Sequence, residues 1–227
     1  LLRRQGLMNT NASIAPAHDC SLCPRLTEFR NQNEAKFPDF HNGPVPSFGA
    51  FDSRLLIVGL APGLKGANRT ARPFTGDYAG DLLYPTLKKF GFSRGTYAAT
   101  PDDGVELIDC RITNAVRCVP PQNKPVGAEV VACRSFFKSE LHTMPNLQVV
   151  LALGGLAHKA TLATLGYTQS AFKFAHAAAH EIKADQRPIL LANSYHCSRY
   201  NTNTGRLTTR MFEDVFTIVR DYLDQLD

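Results

Sequence analysis

The sequence predicts an α/β fold, a three-layer αβα sandwich around a short, mostly parallel central sheet. Short apolar runs of the kind that is buried on both faces of a parallel sheet recur along the chain. Segments with helical spacing of apolar residues lie between these runs, and the last of them is strongly amphipathic. We expect residues 1–18 to be a flexible N-terminal segment and residues 19–227 to form a single domain.

The predicted strands and helices alternate along the chain. The strands are residues 55–58, 112–116, 149–153 and 189–192. Helical spacing marks one segment around Leu82 to Phe90, where Pro85 must fall near the start or kink the helix. Further helices are predicted around residues 130–141, 156–165 and 206–225. By contrast, residues 18–51 are polar and rich in turn residues, and we expect an irregular segment that a metal would hold.

Composition narrows the class of protein. The chain has 227 residues, 44% of them hydrophobic, and a net charge of +5, which permits binding to a polyanion without requiring it. No apolar run approaches the roughly 18 residues that a membrane span needs. The first ten residues do not resemble a signal peptide, so we expect a cytosolic protein without a membrane partner.

Four of the six cysteines form two pairs. Cys20 and Cys23 are spaced C-x2-C, and Cys118 and Cys133 are spaced C-x14-C. Four thiolates suit either a [4Fe–4S] cluster or a zinc site, and ligand softness does not choose between them. Cys110 is expected to be a small buried side chain. A nucleophilic role for the sixth, Cys197, lacks an evident activating base.

In a parallel sheet the site lies at the carboxyl ends of the strands. The loop after the first strand contains glycines that allow a ligand close to the backbone, together with Arg69 and Arg72, which could meet phosphates. Phe74 and Asp77 close that loop and could form the floor for a flat, hydrogen-bonding ligand. Alternatively, Phe74 is ordinary core and Asp77 is a helix cap.

The later loops add polar groups. The amide of Asn114 can pair with the edge of a base, and a neutral His196 could donate a hydrogen bond to an oxygen that gains negative charge. His176 and His180 are spaced i, i+4, but no catalytic glutamate lies between them as in HExxH. We interpret these two histidines as structural or solvent-facing.

These motifs together resemble the uracil-DNA glycosylase superfamily, and most closely its family 5, or type B, branch. The resemblance rests on the four cysteines and four stretches: GLAPG at 59–63, NRTARPFTGD at 68–77, ITNAVRCVPPQNKP at 112–125 and HCSRYNTNTGRLT at 196–208. It spans residues 20–208 and implies a prokaryotic enzyme that acts on DNA, at the nucleoid, as a monomer. The sequence departs from the family at Ala71, where glycine is common, and at Cys197, where proline is common.

The resemblance assigns roles to individual residues. It implies a structural [4Fe–4S] cluster at Cys20, Cys23, Cys118 and Cys133. Phe74 would stack on a flipped base, Asn114 would read its edge, His196 would stabilise the departing charge, and Asp77 would orient water. The backbone at Gly59, Ala61 and Gly63 would line the base pocket. Phosphate or duplex contacts would come from Arg69, Arg72, Ser198, Asn201, Arg206 and Leu207. Leu207 belongs to the Gly205–Thr208 stretch, which would approach the duplex and could wedge into it.

The first motif suggests the substrate range. Relatives with strict uracil preference have an acidic residue shortly after the strand, whereas here the stretch is Leu60-Ala61-Pro62-Gly63. The resemblance therefore implies a monofunctional glycosylase that releases uracil and also deaminated purines such as hypoxanthine and xanthine. A lyase would need an amine nucleophile, for which Lys65 is the only lysine in the first loop. The alternative is a non-catalytic, metal-cluster module of the same fold that binds nucleic acid.

Overall fold

The computed structural model describes residues 14–226. Over that range seven strands form two sheets: β1 (Leu55–Gly59), β2 (Ser93–Arg94), β3 (Glu106–Leu107), β4 (Cys110–Asn114), β5 (Val149–Leu153), β6 (Ala179–Ala184) and β7 (Arg187–Ser194). The central sheet has the order β4-β1-β5-β7-β6, and β2 and β3 form a small hairpin. The prediction of a mostly parallel sheet is confirmed, since β6 alone runs antiparallel to its neighbour.

Seven α-helices accompany these strands in the described range. They are α1 (Pro24–Lys36), α2 (Ala67–Thr70), α3 (Tyr78–Lys89), α4 (Gly127–Thr143), α5 (Gly155–Thr164), α6 (Arg199–Asn203) and α7 (Thr209–Asp224). Helices α3 and α7 share one apolar cluster with the sheet, and α4 and α5 share another. Because every residue of β1, β4 and β5 is buried, the sheet lies between these two layers, as the predicted αβα sandwich requires.

Helix α7 has the clearest local explanation. Its apolar residues face the core, and the Thr208 hydroxyl caps its first turn by accepting from the Met211 amide at 3.2 Å. Leu207 precedes the cap and belongs to the same buried cluster as Phe212, five residues later. This spacing is that of a hydrophobic staple, which fixes the angle at which the chain enters the helix.

The structure differs from the sequence-based expectations in several elements. The segment expected to be irregular contains α1, which has almost no apolar face: Leu26, Arg30 and Asn33 are its buried residues. Strand β6 was not expected, because only two of its six residues are buried. Of the two positions expected for Pro85, near the helix start or at a kink, the structure excludes the first, since Pro85 lies in the interior of α3. Most of the predicted flexible segment, residues 1–13, lies outside the described residues.

No helix in the described part of the chain combines the length and apolar character that crossing a bilayer would require.

Candidate active site

A cavity of about 530 Å³ lies where the carboxyl ends of β1, β4, β5 and β7 meet. This position is the one that the topology of an open parallel sheet favours for a ligand. The loops after these strands line the cavity with the backbone of Gly63 and with Ala61, Phe74, Asp77, Asn114 and His196, among others. The structure therefore brings together six of the residues that the sequence places in the base pocket.

Gly59 sets the shape of the pocket floor without lining it. It ends β1 and pairs directly with Asn114, which ends β4. A Cβ on Gly59 would lie 2.3 Å from the Asn114 Oδ1 and 2.8 Å from the Phe74 Cζ, both shorter than any real contact. Only glycine at this position lets the amide of Asn114 and the ring of Phe74 approach each other across the end of β1.

Phe74 lies between the core and the cavity. Its side chain is 7% exposed and its φ of +54° is left-handed, a conformation that costs a non-glycine residue about 1 kcal/mol or more. The ring lies 5.9 Å from the His196 ring, tilted by 31°. Phe74 is thus both a core residue and a wall of the cavity.

His196 is half-buried and lies in the loop between β7 and α6, two residues after the strand ends. Burial lowers the pKa of its imidazole to about 4, so the ring is neutral near pH 7 and retains one N–H to donate. The Asn201 Nδ2 donates to the His196 carbonyl at 2.8 Å, and the Ser198 side chain caps α6. Ser198 and Asn201 therefore shape the histidine loop, and both also line the cavity.

Asp77 caps α3 and faces the cavity at the same time. Its Oδ1 accepts from the Ala79 amide at 3.2 Å. A Cβ on Gly66 would lie 2.3 Å from Oδ2, and one on Gly63 would lie 3.0 Å away, so both glycines make room for this carboxylate. Burial raises the pKa of Asp77 above its usual range, although amide hydrogen bonds from α3 oppose the rise. Asp77 is therefore a helix cap, one of the two sequence interpretations, and it also lines the cavity.

Arg72 is buried and paired, a position that disfavours the predicted phosphate contact. The whole residue is 5% exposed, and its guanidinium forms a bidentate ion pair with Asp103, with both N–O distances at 2.8 Å. A partner 31 residues away in sequence could not be recognised from the loop itself. Burial and this pairing leave no surface for a phosphate.

Burial also disfavours the predicted duplex contact of Leu207. It is 1% exposed because it forms the hydrophobic staple before α7, so it cannot wedge between bases without leaving the core. Two other apolar side chains are exposed nearby: Tyr200 on α6 is 72% exposed, and Leu156, which lines the cavity, is 60% exposed.

Two of the arginines that the sequence analysis assigns to phosphate contacts are exposed. Arg69 is exposed, and so is Arg206, which lines the cavity with its guanidinium 4.6 Å from the Tyr195 ring. Sequence reasoning missed Arg199, which lies beside Arg206 at the cavity and over the Tyr78 ring. It also missed Phe174, which comes from the irregular segment before β6. Of these two residues, only Arg199 could have been found from the sequence, because it lies in the HCSRYNTNTG loop that carries His196.

The four paired cysteines line one small cavity, between α1, the loop after β4, and α4. All are free thiols, and neighbouring thiols add to the effect of burial in raising the pKa of Cys23 to about 11 and that of Cys118 to about 12. Arg25 on α1 and Glu129 on α4 form a bidentate ion pair beside them, both contacts at 2.8 Å. Within residues 14–226 no three His, Cys, Asp or Glu side chains are placed to hold a single metal ion, so these thiols lie around the cavity without converging on one point.

The other two cysteines and the His176–His180 pair have structural roles. Cys110 and Cys197 are fully buried, which raises the pKa of both thiols and suits the expected packing role of Cys110. His176 accepts from the Tyr195 amide and lies 3.1 Å from the Met211 carbonyl. His180 contacts the Lys173 carbonyl at 3.1 Å.

Comparison with known proteins agrees with the class that the fold and site define. A family model described as the uracil DNA glycosylase superfamily matches residues 46–220, and the chain belongs to this superfamily. Within it, the similarity is to proteins named type-5 uracil-DNA glycosylase. The one from Thermus thermophilus is 42% identical over 213 residues, which are 92% of this chain and 95% of the relative.

Two further relatives carry the same name. The type-5 uracil-DNA glycosylase of Pyrobaculum aerophilum is 38% identical over 87% of this chain and 86% of its own length. That of Mycobacterium tuberculosis is 38% identical over 87% of this chain and 75% of its own length. A type-4 uracil-DNA glycosylase of Sulfurisphaera tokodaii is more distant, at 26% identity over 80% of this chain. The predicted type-5 affiliation is thus confirmed.

Proposed function

We propose that this chain is a monofunctional DNA glycosylase that hydrolyses the bond between deoxyribose and uracil in DNA, and so begins base excision repair in the cytoplasm. The observation that carries the proposal is the convergence of Phe74, Asn114, Asp77 and His196 on one cavity. An aromatic face, an amide edge, a carboxylate and a neutral imidazole are the groups that base extraction and hydrolysis need. The type-5 names of the relatives support the same activity.

Recognition begins with extraction of the base from the duplex. Exposed Arg69, Arg199 and Arg206 surround the site and would contact phosphates, which supplies affinity that falls with salt but carries no sequence information. The flipped base would stack on Phe74 while the Asn114 amide pairs with its edge. Unpairing costs a few kcal/mol and costs least at a mismatch, which favours a deaminated base over a normal one.

Bond cleavage follows from the charges around the base. As the C1′–N bond breaks, its electron pair goes to the base, which becomes an anion, and the sugar becomes an oxocarbenium-like cation. The neutral His196 would donate its N–H to the base oxygen that gains charge, and one such donor contributes roughly 3–4 kcal/mol. The phosphates of the DNA would stabilise the sugar.

Water then completes the reaction. Its oxygen attacks C1′, and Asp77 would orient it and accept its proton, while the released base takes up a proton from solvent. The carboxylate is suited to this task because Gly63 and Gly66 leave it open to the cavity. Such a reaction uses no covalent enzyme intermediate, and we propose no role in it for Lys65.

We further propose that the substrates include hypoxanthine and xanthine. The stretch Leu60–Gly63 brings apolar side chains and no carboxylate to the cavity. An apolar wall discriminates weakly against a larger ring, because it leaves no polar group unpaired when the ring changes. The cavity volume of about 530 Å³ is also compatible with a purine.

We also propose a structural [4Fe–4S] cluster at Cys20, Cys23, Cys118 and Cys133. Support comes from the donor set, four free thiols around one cavity, and from the Arg25–Glu129 ion pair that holds α1 against α4 there. The bound cluster would supply crosslinking and no step of the reaction. Its ligands would join the N-terminal segment to the loop that carries Asn114.

A substrate panel tests the activity. The purified holoprotein is incubated with duplexes that contain one uracil, hypoxanthine or xanthine, or only normal bases, and abasic sites are cleaved with alkali. We expect cleavage of all three damaged duplexes only after alkali, and none of the normal duplex. Binding without abasic sites would support the non-catalytic alternative, and borohydride trapping of a protein–DNA adduct would contradict a monofunctional mechanism.

A further inference from the structure

A buried ion pair lies behind the pocket floor, outside the groups that would touch a base. The side chains of Arg72 and Asp103 are 6% and 1% exposed, and the guanidinium and carboxylate meet through two parallel contacts of 2.8 Å. Such a bidentate pair adds geometric specificity. Because desolvation of both charges offsets their attraction, a buried pair contributes little net stability. Its role is more readily explained by the conformation that it imposes.

Asp103 is fixed to the loop between β2 and β3. Its carboxylate accepts from the Ala98 amide at 2.9 Å and from the Val105 amide at 3.1 Å, in addition to Arg72. On the other side, the Arg72 Nε donates to the Thr75 Oγ1 at 2.8 Å. The pair therefore connects the β2–β3 loop to the residue that follows Phe74.

The same guanidinium orients two tyrosines. It lies 5.2 Å from the Tyr84 ring centre and 6.0 Å from that of Tyr97, and these two rings stack at 4.6 Å. Phe48 covers it from another side at 5.3 Å. Arg72 thus has an aromatic cage as well as a carboxylate, and each arrangement limits the positions that the other can take.

Both tyrosines hold the backbone around Phe74. The Tyr84 hydroxyl donates to the Pro73 carbonyl at 2.7 Å, and the Tyr97 hydroxyl donates to the Phe74 carbonyl at 3.3 Å. The Gly76 amide donates to the same Tyr97 oxygen at 3.2 Å. A left-handed phenylalanine persists only where its surroundings over-determine it, and these contacts are those surroundings.

We propose that Arg72 and Asp103 are positioning residues, which fix the Phe74 ring in the orientation that a flipped base requires. This inference rests on the proposed function, because the orientation of Phe74 matters to the reaction only if a base stacks on it. Arg72 acts at one remove, through Thr75, Tyr84 and Tyr97. A small displacement of the ring would move the bound base away from His196 and slow the reaction.

The test compares Asp103→Asn and Arg72→Lys with the wild type. Asparagine removes the charge of the carboxylate, and lysine keeps the positive charge but cannot form two parallel contacts. We therefore expect both variants to lose the orientation of Phe74. The matched control is Glu106→Gln, which removes a carboxylate from the same hairpin at an exposed ion pair with Arg94. Single-turnover release of uracil is measured with holoprotein well below the midpoint of thermal unfolding.

The rate constant and the amplitude of the single-turnover reaction distinguish a positioning role from a merely structural one. We expect the rate constant of the folded fraction to fall about tenfold to a hundredfold in both variants, as a displacement near 1 Å can cause, with the control unchanged. A merely structural role would lower the amplitude and leave the rate constant unchanged. That result in both variants would overturn the proposal.

Hydrogen–deuterium exchange gives a second readout that does not need activity. In Asp103→Asn, we expect faster exchange in a peptide that covers residues 73–77, while a peptide that covers β1 keeps its protection. Unchanged exchange at 73–77 would overturn the positioning role even if the variant were slow. A wild type that releases no uracil would refute the proposed function, and exchange would still report whether Asp103 holds this segment.

Discussion

Burial acts in opposite directions on the two ionisable groups at the pocket. It lowers the pKa of His196 to about 4 and raises that of Asp77, because a half-enclosed site disfavours the charged form of each. The neutral imidazole can donate its N–H without being protonated first. The carboxylate becomes a somewhat better base for water, provided that the pH stays above its raised pKa.

The pH profile of base release tests this assignment. Asp77 acts when deprotonated, so the rate should fall as the pH falls through its pKa, above the ordinary value of about 3.9. In Asp77→Asn we expect a slower reaction whose rate is nearly flat down to about pH 5, since His196 gains charge only near pH 4. Single-turnover rates between pH 4 and 8 measure both profiles. The same acidic limb in Asp77→Asn would contradict the assignment.

Gly59 offers a purely steric test of the pocket floor. In Gly59→Ala the new methyl group would collide with Asn114 and Phe74, so we expect uracil release to slow about a hundredfold because both groups must shift. The control is Gly127→Ala at the start of α4, where an added Cβ meets nothing within 4 Å. Equal rates for the two variants, by the same single-turnover assay, would refute the close approach of these side chains.

At the level of elements, the sequence predicts best what is regular and buried. Strands β1 and β5 are continuous apolar runs and were located nearly to the residue, and their loops led directly to the cavity. Strand β6 was missed because it is an edge strand with solvent-facing charged residues such as Lys183. Helix α1 was missed because it has no apolar stripe. Local sequence carries no signal for elements that tertiary contacts hold.

The site shows the same limit. The sequence placed Phe74, Asn114, Asp77 and His196 at the carboxyl ends of the strands, and the resemblance implied their roles; all four line one cavity. The burial of Arg72 could not be predicted, because its partner comes from a distant hairpin loop. At Ala71 the structure explains why glycine is common in the family: the φ of +59° is left-handed, a conformation that favours glycine, and nothing in the structure explains the alanine of this chain.

Helix α4 is joined to β4 by a buried charged network. Glu140, fully buried, accepts from Arg111 at 2.7 Å, from Arg117 at 2.6 Å and from the Thr113 hydroxyl at 2.7 Å. Burial opposes its ionisation, but the two arginines hold the pKa of Glu140 below its usual range. The stability from this ionised group is therefore present at neutral pH and is lost as the pH falls through its lowered pKa.

The variant Glu140→Gln tests that network. Loss of the carboxylate leaves two buried guanidinium groups without their shared counter-charge, so we expect the free energy of unfolding to fall by about 3–5 kcal/mol. Glu106→Gln, at an exposed pair, should change it by less than about 1 kcal/mol. Urea denaturation at pH 7 compares them. A loss of less than about 1 kcal/mol in Glu140→Gln would show that the network does not stabilise the fold.

For the whole molecule, the loop after β4 connects the pocket to the cavity lined by the four cysteines. Asn114 ends β4 at the pocket, and Cys118 lies four residues later at the cysteine cavity. Helix α1 packs there through the Arg25–Glu129 ion pair and the Arg30 contact with the Cys20 carbonyl at 3.0 Å. A cluster bound at the four thiols would therefore brace the pocket from behind.

Optical spectroscopy tests the cluster. We expect the native protein to be brown, with a broad visible band and about four irons per chain. Cys118→Ser should bleach the band and lower the midpoint of thermal unfolding, whereas Cys110→Ala, in the core away from the cavity, should keep the band. A colourless native protein that contains zinc would refute the cluster and favour a four-cysteine zinc site.

The most direct test of the glycosylase pocket is single-turnover release of uracil by the wild type and by His196→Ala. The substrate is a duplex with one U:G pair, and abasic sites are counted after alkali treatment. We expect the wild type to convert every uracil and His196→Ala to react about a hundredfold to a thousandfold more slowly, as the loss of one donor to a developing anion requires. No abasic sites with the wild type, or equal rates for the two proteins, would contradict the account.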